Sequence, residues 1–169
     1  MSIQNKYDLT LLGNIIFDEI YCVNRFDKCG TSNILQNHQS SIGGIGNIIR
    51  SLDKQNLNIF VEAVIGNEAV QARKVENFFH KYSISTQYHY SDKPSSLALI
   101  VSDLESVERT SFVRWGCGTD QFIPQKFPTK WTHIAYLDAS GLFDLKQIHR
   151  YSSIVSADLC LSNRSLETD

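Results

Sequence analysis

The stretch that decides the fold runs from Ser41 to Leu52 and reads S-I-G-G-I-G-N-I-I-R-S-L. Three glycines, Gly43, Gly44 and Gly46, come directly before a segment whose apolar residues follow helical spacing. Adjacent glycines allow a tight turn and let a ligand approach the main chain closely. Asn47 belongs to the residue types that cap helices, so we predict that it caps this one. A glycine turn that leads into a helix offers free N–H groups to a polar or anionic ligand.

Two other interpretations of this stretch stand beside ligand binding. The first is an ordinary tight turn before a helix. The second is a dinucleotide-binding fingerprint that uses Gly44 and Gly46. That fingerprint needs a further glycine where this sequence has Ile49, and it follows a buried strand. The preceding residues 38–41 read H-Q-S-S and are polar, so the sequence argues against a dinucleotide site.

Length and composition are those of a single ordinary globular domain. The 169 residues are 42% hydrophobic and 20% charged, with a formal net charge of −2. This balance argues against a nucleic acid or an anionic membrane as partner. The N-terminal residues lack the apolar region of a signal peptide, and no apolar run reaches the ~20 residues of a membrane helix, so we expect a cytoplasmic protein. The four cysteines are dispersed and the five histidines have no zinc-ligand spacing with them, so we expect reduced thiols and no metal site.

Apolar, β-rich segments recur along the chain and alternate with helical patterns. We predict strands near residues 7–17, 57–65, 131–137 and 154–161. This alternation is typical of an α/β fold with a largely parallel sheet. Asp18 follows directly on the first strand, where a carboxylate must find hydrogen-bond donors or face a cleft. It either caps a turn at the end of that strand or binds a ligand.

Two further regions, about 19–41 and 95–115, each contain a pair of short strand-like segments around a turn. Residues 36–40 of the first region are polar, which suits either a solvated sheet over a cleft or an irregular loop. We predict that the two pairs stand apart from the central sheet as a lid. Unpaired strand edges invite partner strands, so we also predict self-association through this lid.

Taken together, these residues resemble the ribokinase-like (PfkB) carbohydrate kinases. The first signature of that family is a Gly-Gly pair followed, after two or three residues, by an Asn that opens a helix. Gly43, Gly44 and Asn47 have the shorter spacing, and Asp18 follows Gly13 at the family's five-residue interval. The resemblance implies a Rossmann-like, mostly parallel sheet with helices on both faces and a small β-sheet lid. It also implies that a sugar or nucleoside is bound by Asp18, Gly43, Gly44 and Asn47.

The resemblance covers about the first half of such a kinase, so residues 1–169 would be its N-terminal part. Complete members bind ATP and Mg²⁺ and have Asn-x-x-Glu near the phosphates. Asn163 matches that Asn as a cofactor-binding residue, whereas Leu166 stands where the Glu is expected. The Gly-Ala-Gly-Asp turn that holds the family's catalytic Asp does not occur in this sequence, so no catalytic residue is assigned. We expect the nucleotide-binding half to be absent, ATP and Mg²⁺ not to be bound by this chain alone, and the chain alone to be inactive.

Two functions follow from these expectations. The first is a PfkB-type carbohydrate kinase, which transfers a phosphoryl group from ATP to a sugar or sugar-like hydroxyl. It would be present here as the sugar-binding half, with a missing C-terminal half as partner. The second is a non-catalytic module that binds a sugar or dimerises through its lid. The two differ in whether a nucleotide-binding half takes part.

Overall fold

Eight strands and three α-helices make up the described part of this computed structural model, which comprises residues 5–26, 32–120, 122–137 and 144–159. A single 3-10 turn at Gly116–Thr119 accompanies them there. In chain order the elements are β1 (Tyr7–Val23), β2 (Asn37–Gly44), α1 (Ile45–Leu52), β3 (Ile59–Ile65), α2 (Ala69–Lys81), β4 (Ser85–Tyr90), β5 (Ser96–Asp103), β6 (Arg109–Arg114), β7 (Thr129–Leu137), α3 (Leu145–His149) and β8 (Ser152–Leu159).

β1 is the centre of the fold because it pairs in two sheets. Its first part pairs in parallel with β3, from Leu9 to Asn14, and with β7, from Tyr7 to Leu12. Its second part pairs antiparallel with β2 from Ile15 and parallel with β5 from Ile16. We call β4-β3-β1-β7-β8 the central sheet and β2-β1-β5-β6 the lid sheet. All neighbouring strands of the central sheet run parallel.

Helices cover both faces of the central sheet. Successive residues of a strand point to opposite faces, so Leu11 and Leu12 mark its two sides. α1 and α2 place Ile49 and Phe79 in the same buried cluster as Leu11. α3 places Ile148 in a second cluster with Leu12. The predicted α/β architecture, a mostly parallel sheet with helices on both faces and a lid, is therefore confirmed.

The structure corrects the predicted end of the first strand. Strand 7–17 continues without a break to Val23, so the first segment of region 19–41 is the second half of β1. Asp18 and Glu19 interrupt the apolar run after Phe17, which suggested an end there. The extended backbone is maintained beyond that point by the ladders to β2 and β5. Region 95–115 contains β5 and β6, which pair with each other, and β5 also pairs with the lid part of β1.

The helix after the glycines also starts earlier than predicted. α1 begins at Ile45 with Gly44 as its N-cap residue, so the prediction that Asn47 caps the helix is wrong. Gly44 has φ 58° and ψ −122°, a backbone conformation that favours glycine. This conformation lets the chain pass from β2 into α1 with no intervening loop. The backbone geometry of Gly44 therefore sets the start of the helix, ahead of the capping preference of Asn47.

Candidate functional site

The predicted site lies where β1 passes from the central sheet into the lid sheet. Asp18 is in the interior of β1, beside Ser41 of β2 and Ala98 of β5, so the prediction that it ends a strand is wrong. Its side chain lies directly against Gly43. A Cβ atom added at Gly43 would come within 2.8 Å of the Asp18 Cγ, and closer still to one carboxylate oxygen. The absence of a side chain at position 43 therefore makes room for the Asp18 carboxylate.

Two opposing effects act on the Asp18 carboxyl. Partial burial raises the pKa of Asp18 above its ordinary value, because the charged form loses hydration. The guanidinium of Arg50 acts in the other direction and lowers that pKa. A carboxylate that has lost part of its water gains more from a hydrogen-bonding ligand than a fully hydrated one does. This environment suits an acceptor for hydroxyl groups.

Gly43 and Gly44 end β2 and lead straight into α1. A Cβ atom at Gly44 would lie 2.5 Å from the backbone oxygen of Asn14, so β2 and β1 are in close contact here. The first turn of α1 follows at once, and its N–H groups have no partner within the helix. Asn47 lies in this turn with its side chain exposed. The structure thus brings Asp18 and the two glycines together, with Asn47 in the adjoining helical turn.

Arg50 belongs to the same region and was missed by the sequence reasoning. Its Nη2 donates to the backbone oxygen of Ile42 at 2.7 Å and to the Oδ1 of Asn47. The guanidinium carbon lies 5.5 Å from the centre of the Phe78 ring on α2. The available signal was spacing, since residues three apart on a helix are neighbours. The sequence did not show that the carbonyl before the glycine pair would be within reach.

Asn14 is a second residue that the sequence reasoning missed. It is 6% exposed, and its Oδ1 has no hydrogen-bond partner in the described structure. Its amide lies against the 3-10 turn, where a Cβ at Gly118 would be 2.8 Å from Oδ1 and 2.9 Å from Nδ2. A buried acceptor without a partner costs roughly 1–3 kcal/mol, so native structures seldom keep one without a role. The signal was a lone amide inside an apolar strand.

Solved structures show which fold this geometry belongs to. The nucleoside kinase of Methanocaldococcus jannaschii, an archaeal member of the ribokinase family, matches with a TM-score of 0.68 at 18% identity over 92% of this chain and 53% of the kinase. Ribokinase from Giardia lamblia matches with a TM-score of 0.69 at 13% identity over 88% and 54%. Ribokinase from Cryptococcus neoformans var. grubii, in complex with ADP, matches with a TM-score of 0.62 at 12% identity over 88% and 45%. The chain has a ribokinase-like fold.

The ribokinase-like fold is identified by structure and not by sequence similarity. No family model matches the sequence, and no curated protein matches it either. The chain spans about half the length of the solved structures it matches. The likeness extends over 88–92% of this chain and concerns its fold alone.

In this ribokinase-like chain Glu68 ties the lid to the central sheet. Its Oε2 accepts hydrogen bonds from the Ser95 N–H at 2.7 Å and the Ser95 hydroxyl at 2.8 Å, at the start of β5. Arg114, at the end of β6, lies 3.8 Å from Oε1. Burial alone would raise the pKa of Glu68, but the Ser95 hydrogen bonds and the Arg114 charge hold it below its ordinary value. Both strands of the β5–β6 pair thus meet one carboxylate at the same end of the pair.

The remaining predictions concern a cofactor-binding residue, metal sites, thiols and membrane helices. Asn163, the predicted cofactor-binding residue, lies outside the described residues. Within the described ranges, no three His, Cys, Asp or Glu side chains converge as a metal-binding group. Cys22 and Cys117 are free thiols. No helix of the described chain is long and apolar enough to cross a membrane.

Proposed function

We propose that this chain is the acceptor-binding part of a kinase that transfers a phosphoryl group from ATP to a hydroxyl of a sugar or a nucleoside. Residues 1–169 correspond, in this proposal, to the N-terminal part of a ribokinase-like kinase domain. The acceptor is bound by Asp18, Gly43, Gly44 and Asn47. Support comes from the fold, which the chain has in common with a nucleoside kinase and two ribokinases.

The observation that carries the proposal is the contact between the Asp18 carboxylate and Gly43. A sugar hydroxyl both donates and accepts hydrogen bonds, so a sugar site needs acceptors and donors close together. The ionised carboxylate of Asp18 can only accept. The N–H groups at the start of α1, directly after the glycine pair, have no partner within the helix and can only donate. A carboxylate against a glycine strand end, followed by a helix N-terminus, supplies both kinds of group.

ATP and Mg²⁺ belong to the proposed reaction, and this proposal assigns neither of them to the described residues. The described chain contains no group of three or more potential metal ligands. The ribokinase from Cryptococcus neoformans var. grubii holds ADP, which supports an adenine nucleotide for this fold. We assign acceptor binding to the described residues and place nucleotide binding outside them, with Asn163 as one contact.

Isothermal titration of the purified 169-residue chain with D-ribose, D-fructose, adenosine and cytidine tests acceptor binding. We expect at least one of these compounds to bind. Asp18→Asn should weaken that binding roughly 10- to 150-fold, because a hydrogen bond to a charged group contributes about 1.5–3 kcal/mol. Gly43→Ala should weaken it in the same way, because the new methyl group displaces the carboxylate.

Asp53→Asn is the matched control, since it removes the same charge from an exposed position at the end of α1. It should leave acceptor binding unchanged. Failure of all four compounds to bind would contradict the proposal. So would equal losses of affinity in Asp18→Asn and Asp53→Asn.

We also propose that the lid sheet is a self-association surface. Phe112 and Val113 on β6 are 62% and 42% exposed, and Leu99 on β5 is 37% exposed. Exposed apolar residues grouped on two adjacent strands favour a protein contact over solvent. β6 pairs only with β5 within the described structure, so its other edge is open to a further strand. The occupant that fits both features is the lid of a second copy.

A further inference from the structure

Arg50 connects three parts of the candidate site that lie on different elements. From α1 it reaches back to the carbonyl of Ile42, the residue before the glycine pair, at 2.7 Å. The same nitrogen donates to the Asn47 side chain one helical turn earlier. Its charge acts on Asp18 in β1. Contact with the Phe78 ring on α2, at 5.5 Å, limits where the guanidinium can go.

We propose that Arg50 is a positioning residue that fixes the Gly43–Asn47 turn and holds its guanidinium charge beside the Asp18 carboxylate for acceptor binding. Arg50 itself need not touch the acceptor. It donates hydrogen bonds to the Ile42 carbonyl, which fixes the backbone that leads into Gly43, and to the side-chain amide of Asn47. The consequence for acceptor binding rests on the proposed function, whereas the effects on Asp18 and on the turn do not.

The surroundings of Asp18 leave Arg50 as the charged group that faces it. On β2, the residues on the same face as Asp18 are Gln39, Ser41 and Gly43, none of which titrates. On β5 the corresponding residues, Ser96, Ala98 and Ile100, are also uncharged. Burial raises the pKa of Asp18, and Arg50 is the group that opposes this rise. Without Arg50, the carboxyl would titrate at a higher pH.

An arginine suits this role better than a lysine does. Its planar guanidinium carries five N–H donors in a fixed fork, so one group can serve the Ile42 carbonyl, the Asn47 amide and an aromatic ring together. A lysine in the same position keeps the charge but has one flexible ammonium group. The two functions of Arg50, charge and geometry, are therefore separable by substitution.

Carbon-detected NMR of the carboxyl groups, in the 169-residue chain without any ligand, measures the charge effect. We expect Asp18 to titrate at a higher pH in Arg50→Gln than in the wild-type chain. Arg50→Lys should keep the wild-type titration. Arg73→Gln is the control, because it removes one positive charge from an exposed position on α2. It should also leave the Asp18 titration unchanged.

Amide hydrogen exchange of Gly43, Gly44 and Ile45 measures the geometric effect in the same samples. Both Arg50→Gln and Arg50→Lys should exchange faster there, whereas Arg73→Gln should not. An unchanged Asp18 titration in Arg50→Gln would overturn the inference. Unchanged exchange in both Arg50 variants would overturn it as well. Thermal unfolding of each variant establishes that these readouts come from folded protein.

Acceptor titration then separates this inference from the proposed function. If the wild-type chain binds one of the four compounds, Arg50→Lys should bind it about tenfold more weakly, because the Asn47 amide and the turn lose a charged hydrogen bond. Arg50→Gln should lose more, and its loss should grow as the pH falls toward the Asp18 midpoint. Wild-type affinity in Arg50→Lys would overturn the positioning role. Absence of binding in the wild-type chain contradicts the proposed function, while NMR and exchange still decide the role of Arg50.

Discussion

Replacing Gly44 with alanine should destabilise the protein far more than the same change two residues later. Gly44 has φ 58° and ψ −122°, and a residue with a side chain in such a region costs roughly 1–3 kcal/mol. Its new Cβ would also lie 2.5 Å from the backbone oxygen of Asn14. That oxygen belongs to the central strand β1 and cannot move without disturbing the sheet, so overpacking adds about 1–3 kcal/mol. Together these effects predict a loss of roughly 2–6 kcal/mol.

Gly46→Ala provides the comparison within the same stretch. Position 46 is inside α1, where alanine is favoured over glycine by about 1 kcal/mol. The new Cβ would meet the Ile42 side chain, with Cγ2 at 2.8 Å and Cβ at 3.1 Å. These atoms belong to a side chain, so the overlap should cost about 1–3 kcal/mol and be partly offset by the helical gain. We expect a loss of at most roughly 2 kcal/mol.

Urea unfolding followed by tryptophan fluorescence measures both variants, because the chain has two tryptophans. A lower midpoint with an unchanged m-value identifies a loss of stability in the folded state. The reasoning is refuted if Gly44→Ala unfolds at the wild-type midpoint. It is also refuted if Gly46→Ala is the less stable of the two. Either result would mean that the Gly44 backbone conformation does not determine the passage from β2 into α1.

Three further predictions concern charge, assembly and activity. Asp18→Asn should be more stable than wild type at pH 7 and lose this advantage as the pH falls, as measured by urea unfolding. Burial raises the pKa of Asp18 in the folded state, so the charged carboxylate lowers the stability of the wild-type protein at pH values above the pKa of Asp18 in the unfolded chain. Below that pH the carboxyl is protonated in both states and the cost disappears. A stability gain of Asp18→Asn that persists in acid would contradict this reasoning. Phe112→Ser should reduce self-association in sedimentation velocity. Ile123→Ser should not, because Ile123 is an exposed apolar residue outside the lid sheet. Equal effects of the two substitutions would rule out the lid as the interface. The 169-residue chain should show no sugar- or nucleoside-dependent ATP consumption in a coupled assay. A positioned general base typically raises the reaction rate 10²–10⁴-fold, and no such base is identified in this sequence. Turnover that is abolished by Asp18→Asn would disprove this prediction.

The strands of the central sheet could be predicted because their sequences carry the signal themselves. All seven residues of β3 are buried and all but Glu62 are apolar, and so apolar a segment between turns indicates an interior strand. The lid pair β5 and β6 was predicted because two strand-like segments flank a polar turn. In each case the information is local, within fewer than about twenty residues, the range over which pattern reasoning works.

The features that could not be predicted depend on partners distant in sequence. β1 continues past Phe17 because Ser96 and its successors pair with it, some eighty residues downstream. The contact between Asp18 and Gly43 depends on the register of β2, which the polar sequence of that strand does not specify. The resemblance identified Asp18 and the glycines as ligand-binding candidates, and this role stays a prediction. Arg50 and Asn14 were missed because their importance comes from packing and not from any motif.

The position of β1 at the centre of both sheets has a consequence for how the chain folds as it is synthesised. The lid part of β1 meets its partner early, since Glu19 and His38 are 19 residues apart. The central part pairs with β3 along one edge, but its other edge waits much longer, because Thr10 and Thr129 are separated by 119 residues. At about 5–20 residues per second, the ribosome needs roughly 6–24 s to produce that partner. Until then one edge of an apolar strand remains open to other nascent chains, so we expect chaperone dependence to fall sharply once β7 has emerged from the ribosome.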